Sequence, residues 1–492
     1  MAKLKRKHYI ELIICLLVCV IPIISSVTHV QHFTYAESLF VDDNNNVIAK
    51  REMHNGVENI EISEILEETS GGDLYLRHYD IPNGDTVVSG SLHGITEEPV
   101  VLQALHIVGD ASIHYYDNGE FETFPLEEGE YDPSLLFIDS KEFDVACYTP
   151  KQYKFLENDS LEYLPEFDGY LKVEKAEDGF DIELVTDIVA ENCCSDFMIV
   201  YSNADFMNWA TNEVDPAWIQ LTMDGDNRWT YTGFYRKAAS NYYPTGENVY
   251  SRCQACYLGA SFVNANPRYR VMDDMLFCII DTMSLQQNEL GFFPSESRSD
   301  WLYEDFNIPA GYYDTRFNSD LMEIFIKSYE LYMNSSAYKA MEKYADFFVN
   351  MVEQCGRSDK KGGIWVPDYW SEEADFTKVN TSLNHQLSEI SVLYKMSDIL
   401  HRIDLARLAD KMLKAIENTG YSWTKPDNDL HYCIYPDGSF GKDDYLELTY
   451  NDMFKLQKVL EEKKGYRNEV LDNLMECKLR WMKLHGAKDY LQ

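Results

Sequence analysis

Cations are scarce in this sequence. Its 492 residues carry 43 Lys and Arg against 83 Asp and Glu, a formal charge of −40. That field repels a phosphate backbone, so nucleic acid is excluded as a partner. A zinc framework is missing too. Cys253-x-x-Cys256 stands alone, with no second pair and no His cluster at ligand spacing, and reads as two core thiols one helical turn apart. Of 11 cysteines, Cys15 and Cys19 lie in an apolar leader. The remaining nine are an odd number, and the adjacent Cys193 and Cys194 cannot readily bridge, so no obligatory disulfide framework is expected. No lipid-attachment cysteine follows the leader, and no close internal repeat is present. Asp224-Gly225-Asp226-Asn227 offers oxygens to calcium but lacks the other positions of a recognised loop. A turn suffices there. No cofactor is therefore expected, with calcium left as the one exception to test.

Aromatics are abundant: 14% of the chain, with 35 Tyr. Such rings suit sugar recognition, offering a flat face and a polar tip, and they suit core packing equally well. The acidic excess is spread along the chain and reads as a solvated surface.

Residues 1–36 read as a signal peptide or signal anchor. Lys3, Lys5, Arg6 and Lys7 precede an apolar run from Leu12 to Val27 that Pro22 interrupts. The basic end stays inside, so the bulk of the chain is expected outside the cytoplasm, secreted or anchored to the membrane through this segment. Residues 37–75, acidic and sparse in large apolar side chains, read as a linker. Residues 76–240 hold short apolar runs such as VVLQALHIV, FDIELV and FMIVY, broken by Asp117-Asn118-Gly119, Asp168-Gly169 and Asp178-Gly179. Alternating runs between such turns predict an antiparallel β-sandwich-like domain.

From 241 to 492 the period becomes helical. Stripes at i, i+3/i+4, i+7 spacing begin at Cys253, Val271, Leu321, Met341, Leu383, Leu405, Met453 and Leu471. Eight helices with alternately short and long connections predict four hairpins arranged as an α/α toroid. The long connections, Leu285–Asn318, Cys355–Asn380 and Thr419–Tyr450, recur every second helix and should emerge at one end. Long loops in compact domains are usually functional. The first carries Arg298, Tyr313, Asp314 and Arg316. The second carries Asp368, Tyr369, Trp370, Glu372 and Glu373, with Asn384 and His385 just inside the next helix. The third carries Asp429, His431, Tyr432, Asp444 and Tyr445. Aromatics for stacking, two arginines for a carboxylate and several proton-moving groups make this a candidate site for an acidic polysaccharide. Each member also has a plainer reading: Asp314 and Arg316 could simply pin their loop, and His385 could be a core histidine.

The stretch DLHYCIYPDGSFGKDDYLELTYNDMFKLQKVL (429–460) resembles the carboxy-terminal signature of heparosan glucuronyl C5-epimerases. There an Asp-Leu-Arg-His segment precedes an Asp-Tyr-His segment and a helix with Asn-Gln-Leu. The counterparts here are Asp429-Leu430-His431, Asp444-Tyr445 and Asn451 to Gln457. Gly362-Gly363-Ile364, Trp370 with Glu372-Glu373, Leu383-Asn384 and Gly311-Tyr312-Tyr313 follow the family's order as well, so the resemblance spans about 240–485. It implies a β-domain before an α/α barrel. It also implies removal of the C5 proton of a glucuronyl unit and its return from the other face, with tyrosines moving the proton. Tyr445 matches one catalytic tyrosine; Asn428 and Ser371 stand where the family has two others. Tyr432, Tyr369 and Tyr313 are the nearby substitutes, and His431 is a further candidate to move a proton. A phenol acting as base would need cations to lower its pKa, and Arg298 and Arg316 are the candidates to hold the substrate carboxylate. Two alternatives stand: an α/α-barrel lyase or hydrolase, and a non-catalytic glycan-binding surface protein. A homodimer is left open.

Overall fold

The strand Cys193–Ser202 is buried along nearly its whole length, and so are the first ten residues of Asp144–Leu156. An antiparallel strand with no wet face must be covered on both sides. A computed structural model of the chain shows the cover; it describes residues 38–42, 46–56, 58–69, 71–117, 120–209, 218, 221 and 226–492. These two strands pair at the centre of one large antiparallel sheet. Its order runs Ser38–Val41, Val47–Asn55, Glu58–Thr69, Gly72–Asp80, Thr86–His93, Cys193–Ser202, Asp144–Leu156, Ser160–Tyr163, Val249–Arg252, Gly233–Lys237 and Asn227–Thr230. One face, with Phe197, Ile199, Leu136 and Ile138, packs on a four-stranded sheet of Val100–Val108, Gly179–Thr186, Tyr170–Lys175 and Gly129–Tyr131. The other face, with Tyr79, Val87, Phe137, Met198 and Val200, joins the core of the helical body. The β-sandwich is thus present, and its larger sheet doubles as a wall for the helices.

The helices are α1 (Tyr257–Val263), α2 (Arg270–Ser284), α3 (Asp300–Phe306), α4 (Thr315–Tyr332), α5 (Ser335–Cys355), α6 (Leu383–Ile399), α7 (Ile403–Thr419), α8 (Leu448–Lys464) and α9 (Glu469–Leu484). Seven of the eight apolar stripes fall in them; of the first, Cys253 and Cys256 stand in the turn before α1, with Cys256 in the left-handed region, so these buried thiols are not one helical turn apart. The short α3, inside the first long loop, lacked a stripe. The hairpins are α1–α2, α4–α5, α6–α7 and α8–α9. Helices α1, α4, α6 and α8 adjoin in turn on the inside, and α2, α5, α7 and α9 on the outside. The toroid is incomplete: α1 and α8 face each other across a cavity that all four inner helices line, while α2 packs on the large sheet. No helix among the described residues is long and apolar enough to cross a membrane.

Two expectations about segments change. Residues 37–75 are not a linker, because their three full strands belong to the large sheet. The acids that suggested a spacer alternate with Met53, Ile60 and Ile62, which point into the helical core. On that same face Arg51 reaches Asp281 of α2, and Arg77 pairs with Glu64 at 2.8 Å. The β-domain also runs on to Arg252, past residue 240. The leader, together with Asp224 and Gly225 of the calcium motif, lies outside the described residues; Asp226 and Asn227 lead into a strand.

The junctions bury carboxyls away from compensating charge. Burial lifts Asp144 to about 7, Asp196 to about 6 and Glu389 of α6 to about 8. Burial and the neighbouring Asp85 lift Asp274 of α2 to about 9. A folded-state pKa above the unfolded one means that the native protein holds the proton more tightly. Stability should therefore fall as pH rises from about 4, the unfolded carboxylate range, to about 9. The melting temperature is expected to be several degrees higher at pH 5.5 than at pH 8.5. A flat or rising profile between those values would show these carboxyls to be solvated.

Candidate active site

The three long loops meet. Tyr313-Asp314 of the first pairs with Tyr369-Trp370 of the second, register Tyr313↔Trp370 and Asp314↔Tyr369. Thr381-Ser382 of the second pairs with Cys433-Ile434 of the third. Tyr242-Tyr243, at the end of the β-domain, pairs with Arg298-Ser299 of the first. The alternation of short strands then sorts side chains between two sides.

Tyr313 and Trp370 go to the core. Tyr313 is fully buried, hydrogen-bonds Tyr344 of α5 at 2.7 Å and packs with Phe292 and Phe347; Trp370 packs on the same two phenylalanines. Neither is a site residue. Their neighbours Asp314 and Tyr369 face the other way. Tyr312 lies beside Tyr369 with ring centroids 6.0 Å apart, and Tyr432 lies 5.6 Å from Tyr445, edge to face. The charge of Asp314 acts on Tyr242, Tyr312, Tyr369 and Tyr432 alike, which places its carboxyl among four phenols.

Asp314 is the N-cap of α4. Its Oδ1 accepts the backbone amides of Arg316, at 2.8 Å, and Phe317, at 3.1 Å. Among the described residues no donor reaches Oδ2. Burial pushes its pKa up to about 7 against the pull of those two amides. Asp368 reaches about 7 through burial, opposed by Ser382 and assisted by Asp314. Its oxygens are, however, filled: Asn380 Nδ2 and the backbone amide of Ser382 donate to it at 2.6 Å, and the Ser382 hydroxyl donates too. It ties the second loop together. His385, edge-on to Tyr369 at 6.0 Å, is driven down to about 3 by burial with Arg316 nearby, so it stays a neutral ring beneath the site.

The phenols run against the expectation drawn from the sequence. Burial, with Asp314 or Asp368 next to them, raises Tyr242 to about 12 and holds Tyr312, Tyr369 and Tyr432 well above the ordinary phenol value. In this arrangement they are proton donors rather than bases. Tyr445 differs from them in being 53% exposed at the rim.

Arg316 lies at the mouth, but Asp452 of α8 and Asp320 already take its guanidinium. Arg298 is elsewhere, pinned at 2.9 Å to Asp300 and laid over Tyr243 and Tyr303, on the far side of the strand from Tyr242. His431 alternates with Tyr432 and so turns to Phe440 instead of the site. Glu372 and Glu373 stand in solvent on a turn. Asn384 is buried with Oδ1 unpartnered, on the stripe of α6 that continues through Ser388, Ser391 and Lys395 along the inner cavity. Asp429 and Asp444 are not substrate ligands, because both are held by Lys478 of α9, at 2.6 and 2.8 Å, in a pocket where its side chain is fully buried. The same ammonium donates to the Tyr445 carbonyl at 2.7 Å. Lys478 was visible in the sequence only as an odd member of an apolar stripe. Tyr312 and Asp368 were visible as loop residues; the pairing register that singles them out was not. Among the described residues no group of three or more His, Cys, Asp or Glu is placed to hold a metal ion.

No family model matches the sequence, and no curated protein matches it. Solved structures that match include a D-mannose isomerase, 12% identical with TM-score 0.36, covering 47% of this chain and 60% of that one. A family 76 glycoside hydrolase from a bovine Bacteroides thetaiotaomicron strain is 10% identical with TM-score 0.37, covering 81% and 75%. Cellobiose 2-epimerase from Spirochaeta thermophila is 13% identical with TM-score 0.35, covering 46% and 56%. The chain thus spans three-fifths or less of the length of the isomerase and the epimerase, and none of these likenesses assigns it to a family.

Proposed function

We propose that this chain is an exported carbohydrate-active enzyme of the uronyl C5-epimerase kind, moving the C5 proton of a uronate unit within an acidic polysaccharide. The observation that carries this reading is Asp314: a carboxyl poised near neutral pH, one oxygen free, ringed by phenols where three loops converge. The C5 proton is very weakly acidic, so a base must approach it while charge building towards the sugar carboxylate is stabilised. Asp314 takes the proton. A phenol of the group, with Tyr445 the exposed one, gives a proton back on the opposite face. Lys442, laid over Trp301 at 5.1 Å and acting on the charge of Asp368, has no carboxylate at ion-pair distance among the described residues and is a cation free to take this role. Arg316 stays the expected second cation, though a uronate would have to compete there with Asp452.

Asp368 favours a second reading. Two carboxyls held near 7 could serve a glycoside hydrolase as acid and base, and the filled oxygens of Asp368 argue against it. Incubating a uronate polymer in deuterated water separates the cases. Label at C5 without cleavage supports proton transfer, new reducing or unsaturated ends support hydrolysis or elimination, and binding with neither supports a surface lectin. Tyr445→Phe should cut label uptake by about 10²-fold or more at an unchanged melting temperature. Full uptake in that variant would remove Tyr445 from the chemistry.

A further inference from the structure

Between the β-domain and the first long loop lies a cavity of about 400 Å³, lined by Arg236 and Lys237 on one wall and by Tyr242, Gln254, Tyr257 and Tyr312 on the other. Tyr242 and Tyr312 also belong to the phenol group around Asp314, so this space shares a wall with the candidate active site. Arg236 is the feature that needs explaining. With 83 acids to 43 bases, this chain gives its arginines carboxylates readily: Arg252 in the same cavity holds Asp159, and Arg316 holds two. Arg236 has no carboxylate at ion-pair distance among the described residues, although Asp226 lines the same cavity. Its guanidinium lies over the Tyr257 ring at 4.8 Å, on the strand Gly233–Lys237, with its side chain exposed. A stacked guanidinium keeps its planar fork in one orientation, the arrangement that accepts a carboxylate through two parallel hydrogen bonds. Tyr242 and Tyr257, both partly exposed, flank it and offer aromatic surface to a sugar ring.

We infer that this cavity is a subsite for the next carboxylate-bearing sugar along the polymer from the reacting unit, with Arg236 as the residue that selects it; the identity of the polymer rests on the proton-transfer reading. The cavity size suits a sugar-sized ligand. The subsite also explains how an acidic protein would hold an acidic chain: Arg236 is a cation that no carboxylate of the described residues has taken.

The probe is an octasaccharide of alternating glucuronate and N-acetylglucosamine, compared by calorimetry with its carboxyl-reduced counterpart. Wild type should bind the acidic form about tenfold tighter. Arg236→Gln should lose that preference while binding the reduced form as before. Arg236→Lys, which keeps the charge without the fork, should fall between them. A retained preference in Arg236→Gln, or no preference in wild type, overturns the subsite. An Arg236-dependent preference without deuterium uptake keeps the subsite and removes the proton-transfer reading. The Asp314→Asn protein should keep the preference, since Asp314 lies outside this cavity's lining.

Discussion

Asp314→Asn is expected to lower turnover by about 10²- to 10⁴-fold and to leave the protein as stable as before or more so. The two effects have one cause. Burial holds this carboxyl near 7, so the folded protein must pay for its ionisation above that pH. The folded pKa exceeds the unfolded value, and the native state loses stability as pH rises through the interval between them. An amide keeps the side-chain oxygen that caps α4 and never ionises, and Asn caps helices as well as Asp does. The variant should therefore melt at or above wild type at pH 8 and level with it at pH 5. Wild-type activity should rise with pH through about 7 if Asp314 acts as the base. A variant that melts lower at pH 8 would make Asp314 a structural cap, and unimpaired turnover would free it from any chemical role.

Much of the fold could be read along the chain because each helix buries a stripe. A stripe at 3.6-residue spacing needs only local sequence, and the recurrence of long connections at alternate helices was enough to place three loops at one end. The closure of the ring was not readable. Whether the last inner helix meets the first depends on how the hairpins splay, which no local pattern encodes. The meander from Val47 to Asp80 was misread for a related reason. Its acids alternate with buried apolar residues, and one of them, Glu64, is paired on the buried face; a composition window averages the two faces.

The site was legible as a neighbourhood but not as a set of side chains. Tyr312 directly precedes the two-residue strand Tyr313–Asp314, so in extended backbone one of the two tyrosines must face the core when the other faces the loops. Only the pairing with Tyr369-Trp370 decides which. The resemblance drew attention to Tyr313, and the register returns Tyr312. The same alternation takes His431 away and keeps Tyr432. The buried carboxyls were harder still. Asp429 and Asp444 look like ligands when read beside Tyr445, and their partner, Lys478, lies on a helix later in the chain.

That partner makes a second large effect. Lys478→Met should destabilise the helical body by about 3–5 kcal/mol, the usual cost of removing one member of a buried ion pair. Asp429 keeps Lys425, at 3.0 Å. Asp444 keeps only the Thr449 hydroxyl, at 2.6 Å. Burial already raises the pKa of Asp444 with Lys478 opposing it; without the lysine the pKa must climb further, and the loss should shrink as pH drops from 8 to 5 and the carboxyl takes up a proton. A pH-independent loss would mean that packing, rather than charge, is what Lys478 supplies. Lys478→Met with Asp444→Asn separates support from positioning. It leaves no uncompensated charge, so most of the melting temperature should return. The Tyr445 carbonyl still lacks its donor, and deuterium uptake should stay low. Recovery of both together would reduce Lys478 to a counter-ion; recovery of stability alone would identify it as the residue that holds Tyr445 at the rim.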